Sequence, residues 1–187
     1  MLEQILDDVE RAFNAKAYWA GLTLALTIPD ICGRAFYGNL KINERYIKWY
    51  DEYIGQYHVP PTDANQNDEA DRLPLVNGLV IYKLRCTLMH QGSLCLSGAR
   101  ENSRVKPGDI DVFEMEVSPE GLYSNMACTN RDSDGRVIKT CRVNVGGICM
   151  EITRAARRCF TENPEKFSFM EGEFIYFDPE NDFLMGS

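Results

Sequence analysis

Leu2-Glu3-Gln4-Ile5-Leu6-Asp7-Asp8-Val9-Glu10-Arg11-Ala12-Phe13 sets Leu2, Ile5, Leu6, Val9 and Phe13 three and four residues apart. That is the spacing of one apolar helix face, with acidic and basic residues left for the other. The pattern continues into the more fully apolar Tyr18 to Ile28, so the chain opens on a helix, or a kinked pair, that becomes more buried toward its end. Pro29 and Gly33 punctuate it. Asn43 is a suitable cap for a second helix running through Ile54, with Gly55 as its stop. Along it Tyr46, Tyr50, Tyr53 and Tyr57 recur at helical spacing, a stripe that reads first as core or dimer seam rather than as a base-stacking platform. Pro74 suits a helix first turn, and Leu75, Val76, Leu79, Val80, Ile81, Leu84 and Leu88 carry a third helix to about His90, stopping at Gly92.

After residue 110 the period changes. Phe113, Met115 and Val117 alternate with Glu114 and Glu116 as in a half-buried strand. A second alternation over 122–128, the turn Asp132-Ser133-Asp134-Gly135 and the β-rich Val137 to Val143 predict a small antiparallel meander. Asn144 then caps a helix whose apolar set is Ile148, Cys149, Ile152, Ala155, Ala156 and Cys159, with Arg154, Arg157 and Arg158 toward solvent. Phe167 to Phe177 reads as a last strand or an arm. The expectation is a mainly α (α+β) single domain over 1–187: a helical bundle of 1–92 and 144–160, a β addition over 110–143 placed before the last long helix, and a C-terminal arm over 165–187.

Bulk properties narrow the function. The 187 residues suit one core, with 44% apolar and 26% charged residues, the balance of an ordinary globular chain. The first residues are acidic where a secretory signal would be basic, and the most apolar window, 15–28, is too short to span a bilayer and carries Lys16, so a cytoplasmic protein without membrane contact is expected. Seven cysteines without a C-x-x-C pair read as reduced core residues, and no metal or other cofactor is expected. A net charge of −8 argues against nonspecific coating of nucleic acid. The charge is uneven, however. Residues 51–71 and the tail from Thr161 are acidic, whereas Arg136 to Arg158 holds Arg136, Lys139, Arg142, Arg154, Arg157 and Arg158 against Glu151 alone, one basic patch on an acidic body.

Chemistry near neutral pH points to histidine, whose pKa lies nearest that range. His58 sits in Gln56-Tyr57-His58-Val59-Pro60-Pro61, where the paired prolines impose an extended loop and no scaffold, which leaves His90. Arg85 precedes it by five residues. An arginine and a histidine suffice for phosphodiester chemistry without a metal, one holding phosphate charge and the other moving a proton. At about 100° per residue the two side chains point about 140° apart, so one copy does not close a facing pair, and a two-fold dimer supplies the composite site. The plainer reading is structural: His90 closing the helix end, and Arg85 paired with the acidic loop 63–71.

Gly78-Leu79-Val80-Ile81-Tyr82-Lys83-Leu84-Arg85-Cys86-Thr87-Leu88-Met89-His90-Gln91-Gly92 resembles the arginine, four-to-six residues, histidine motif of the HEPN superfamily, helical proteins that include many metal-independent ribonucleases. Ile28 to Gly33 and Glu44 to Tyr50 are similar to bacterial proteins that carry the same Leu-Arg-Cys, His-Gln-Gly signature. The resemblance implies a HEPN-like bundle that forms a homodimer, Arg85 and His90 of both chains lining a shared cleft, and RNA cleavage by 2′-hydroxyl attack. The basic residues Arg154, Arg157 and Arg158 would bind the substrate, and a regulatory protein partner would hold activity in check. In active members the residue after the arginine is typically polar, and here it is Cys86. That difference favours the alternative reading, a noncatalytic HEPN-like module binding RNA, protein or a small ligand.

Overall fold

A computed structural model describes residues 1–58, 76–93, 110, 112–118, 126–131, 133–135 and 137–170. Six α-helices lie within them: α1 (Leu2–Asn14), α2 (Tyr18–Ala25), α3 (Ile28–Tyr37), α4 (Ile42–Tyr53), α5 (Gly78–Gln91) and α6 (Val145–Glu162). Strands β1 (Val112–Glu116), β2 (Met126–Arg131) and β3 (Val137–Asn144) separate α5 from α6, so the chain is mainly helical with a small sheet where the change of period places it.

The opening periodicity resolves into three helices. α1 buries Leu2, Leu6 and Val9 and ends before Lys16, whose φ of 59° turns the chain back so that α2 packs against α1. Pro29 starts α3 rather than ending α2, since a proline costs nothing in the first helical turn, where its missing N–H has no partner to lose. Gly33, expected as punctuation, lies inside α3. A Cβ there would stand 2.8 Å from the Arg45 carbonyl oxygen, so its role is close approach to α4. α4 begins at Ile42, earlier than an Asn43 cap would give, because the Glu44 carboxylate reaches back to accept from the Lys41 N–H at 3.4 Å.

α5 starts at Gly78, not at Pro74. Asn77 Oδ1 accepts from Val80 N–H at 3.0 Å, and Asp51 Oδ1 of α4 accepts from Gly78 N–H at 2.6 Å. Its end is where the sequence places it, at Gly92 in the left-handed region (φ 62°) with its N–H donating to the Leu88 carbonyl. Val80, Ile81, Leu84 and Leu88 are buried. α6 is capped by Asn144, whose Oδ1 accepts from Gly147 N–H at 2.9 Å, and all six apolar positions expected of it are buried.

The meander expectation is corrected. The sheet order is β1-β3-β2: β2 pairs antiparallel with β3, but β1 pairs parallel with β3, Val112 opposite Thr140 and Glu116 opposite Asn144. Between β2 and β3 the chain passes through Ser133-Asp134-Gly135, with Gly135 in the left-handed region at φ 78°. Arg142 fastens the outer strand, its Nε donating to Glu114 Oε2 at 2.8 Å. Cys141 and Val143 of β3 enter the bundle core, with Phe113 and Met115 packed against it.

The core runs through α4 and α6. Tyr46, Trp49 and Tyr50 are fully buried, and the Tyr46 hydroxyl donates to the Leu26 carbonyl at 3.0 Å. Residues 164–167, at the start of the expected C-terminal arm, form a 3₁₀ turn that buries Phe167 against Phe36 and Phe160. The rest of that arm, from 171, and the acidic loop 63–71 lie outside the described residues. The His58 backbone belongs to a 3₁₀ turn, Gly55–His58, rather than to an extended loop. Among the described residues no helix is long and apolar enough to cross a membrane.

Candidate functional site

Arg85 and His90 share α5 but differ in surroundings. Leu84 and Leu88 turn one face of the helix into the core, which leaves Arg85 half-buried on its flank and His90 exposed in the last turn. The Arg85 Nη2 donates to Asp30 Oδ2 of α3 at 2.8 Å, with 23% and 19% of the two side chains exposed. The acidic loop is therefore not needed as the partner of Arg85. Pro29 at the start of α3 presents Asp30 in the first helical turn, where a carboxylate also suits the helix dipole. Burial acts to lower the Arg85 pKa, the Asp30 charge acts to raise it, and the net direction is upward. The guanidinium stays charged.

Cys86 lies beside Arg85 and Tyr82, and the Tyr82 ring meets Tyr46 edge-on at 5.2 Å. Burial, and after it the Asp30 charge, raise the Tyr46 phenol above its ordinary value. Asp30, Tyr46, Tyr82, Arg85 and Cys86 thus form one polar knot where α3, α4 and α5 meet. His90 stands outside it. Its imidazole has no hydrogen bond or ion pair among the described residues, and Met89 beside it is 45% exposed.

The three arginines of α6 separate. Arg157 Nη2 is held by Asp7 Oδ1 at 3.1 Å and Glu10 Oε1 at 3.0 Å, so it joins α6 to α1 instead of facing open solvent. Arg154 and Arg158 are exposed and line an open cleft with Tyr53 and Tyr57. The basic patch read from the sequence is thereby reduced, since Arg142 is taken up by Glu114 and Arg157 by α1.

Sequence reasoning missed Asp30 as the partner of Arg85. Its signal is faint, a lone carboxylate just after Pro29 with no local rule to say what it meets. The same reasoning treated the tyrosine stripe as one thing, whereas Tyr46 and Tyr50 are core and Tyr57 is 69% exposed. Among the described residues Cys32, Cys86, Cys141, Cys149 and Cys159 are free thiols, and burial pushes Cys149 up to about 12. Among them, too, no group of three or more His, Cys, Asp or Glu side chains is placed to hold a metal ion. Comparison with protein-family models, with curated proteins and with solved structures gives no match to this chain.

Proposed function

We propose that this protein is a HEPN-like, metal-independent endoribonuclease that works as a homodimer, with Arg85 and His90 of both chains lining one cleft. The observation that carries the reading is the contrast on α5: an exposed imidazole without a side-chain partner among the described residues, on the same helix as an arginine fixed by a carboxylate. A histidine kept only to close a helix would be expected to spend its ring on the last carbonyls. His90 does not.

In this reading Arg85 binds a non-bridging phosphate oxygen while Asp30 holds its guanidinium in one orientation. His90 takes the proton of the RNA 2′-hydroxyl as that oxygen attacks phosphorus, and the second His90 protonates the departing 5′-oxygen. The products are a 2′,3′-cyclic phosphate and a 5′-hydroxyl. Two chains are required because a five-residue offset turns Arg85 and His90 about 140° apart on one helix.

The Arg85–Asp30 pair favours a second reading, a noncatalytic module that binds RNA, protein or a small ligand, since a neutralised arginine attracts phosphate less. Cleavage of single-stranded RNA in chelator-containing buffer separates the two. The ribonuclease reading expects wild type to cut and His90→Ala to lose at least about a hundredfold in rate with its fold intact, the usual contribution of a general acid–base group. Wild type inert toward a broad RNA panel leaves the binding module. An unfolded His90→Ala makes the residue structural.

A further inference from the structure

The cleft between the end of α4 and the middle of α6 has a volume of about 330 Å³, at the lower end of the range for small-molecule sites. Ile54 and Ala155, 3% and 7% exposed, form its apolar floor, and Tyr53 and Tyr57 rise from one side. Arg154 and Arg158 face them from successive turns of α6. Like charges four residues apart repel, and neither guanidinium has a hydrogen bond or ion pair among the described residues. On a chain of net charge −8, in which Arg85, Arg142 and Arg157 are all ion-paired, the cleft sets two arginines without an ion pair among the described residues beside aromatic rings, with Glu151 also in its lining.

Those parts define a ligand. Two guanidiniums suit one oxyanion, phosphate or carboxylate. Tyr53 is stacked on Trp49, so it is the exposed Tyr57 ring beside the apolar floor that suits a planar ring. Glu151 lines the same cleft, and its negative charge disfavours a second anionic group on the ligand. We infer that this cleft binds a monomer-sized planar ring carrying one oxyanion. Nucleoside monophosphates and phenolic carboxylates share that chemistry. The site is separate from the α5 reading: Gly78 packs on Ile47, and Tyr82 meets Tyr46, so α5 runs antiparallel to α4 and His90 lies toward the opposite end of α4.

Titration of the whole protein by calorimetry tests the inference with four probes: adenosine 5′-monophosphate, 4-hydroxyphenylacetate, adenosine and inorganic phosphate. At least one of the first two is expected to bind about tenfold or more tightly than adenosine or phosphate alone, and which one binds identifies the source of the oxyanion. Arg154→Gln and Arg158→Gln, changes at exposed positions, are each expected to weaken that binding about tenfold, and Tyr57→Ala by several-fold. His90→Ala binds as wild type does, whatever its effect on RNA. The inference is overturned if neither ring anion binds at concentrations up to about 10 mM, or if binding survives both arginine changes.

Discussion

Arg85 and Asp30 are 55 residues apart in sequence and 2.8 Å apart in space, and each is about four-fifths covered. Removing one partner from such a pair leaves the other charge short of both water and counter-charge. Fully buried pairs lose roughly 3–5 kcal/mol in that case, and the partial exposure here scales the expectation for Asp30→Ala to about 2–3 kcal/mol. Arg157→Ala, whose partners Asp7 and Glu10 are about half exposed, is expected to cost less than about 1 kcal/mol. Urea denaturation measures both. If the pair is the source of the loss, Asp30→Ala with Arg85→Ala costs at least about 1 kcal/mol less than the two single changes added, and strict additivity would refute the coupling. Sequence reading reached Arg85 and His90 because residue type and spacing are written in the chain. The acidic loop it offers as an alternative partner for Arg85 lies outside the described residues, and since any acidic stretch satisfies a charge argument, it is the packing of α3 on α4, with α5 against α4, that brings in Asp30.

At the scale of elements, the sequence is most legible where the stop or cap is local. Asn144 before α6 and Gly92 after α5 act on residues within one helical turn, so residue type alone locates them. The start of α5 was misread because half of its cap is remote: Asp51 on α4 supplies an acceptor that no local rule contains. Strand pairing failed for the same reason. Alternation identifies a strand but not its neighbour, whereas the turn through 133–135 correctly joined β2 to β3 as an antiparallel pair. Close approach of α4 and α5 carries a prediction. A Cβ on Gly78 would stand 2.5 Å from the Ile47 carbonyl oxygen and 2.9 Å from its Cα, backbone atoms that cannot rotate away. Gly78→Ala gains about 1 kcal/mol of helix propensity, yet overpacking is expected to outweigh it and leave a net loss of about 1–2 kcal/mol. A Gly78→Ala chain more stable than wild type in urea would show that α5 shifts freely on α4.

For the whole molecule, the proposed chemistry makes assembly a requirement, because one α5 cannot turn both Arg85 and His90 onto one phosphate. The proposed two-fold contact is placed at the end of α5, beside His90. Met89 is 45% exposed beside His90, and the antiparallel run of α5 along α4 brings that end toward the first turn of α4, where Ile42 is 54% exposed. Two copies meeting there would cover both side chains and bring their His90 residues together, as a two-fold contact does with any residue near its axis. Met89→Glu places a charge on that seam without entering the core, so the monomer fold should keep its helical dichroism. Light scattering is expected to show wild type as a dimer at micromolar concentration and Met89→Glu as a monomer, and the monomer should lose RNA cleavage although Arg85 and His90 are both intact. A monomeric wild type that still cuts RNA would remove the composite cleft from the mechanism. A Met89→Glu protein that remains dimeric and active would move the two-fold contact to another face.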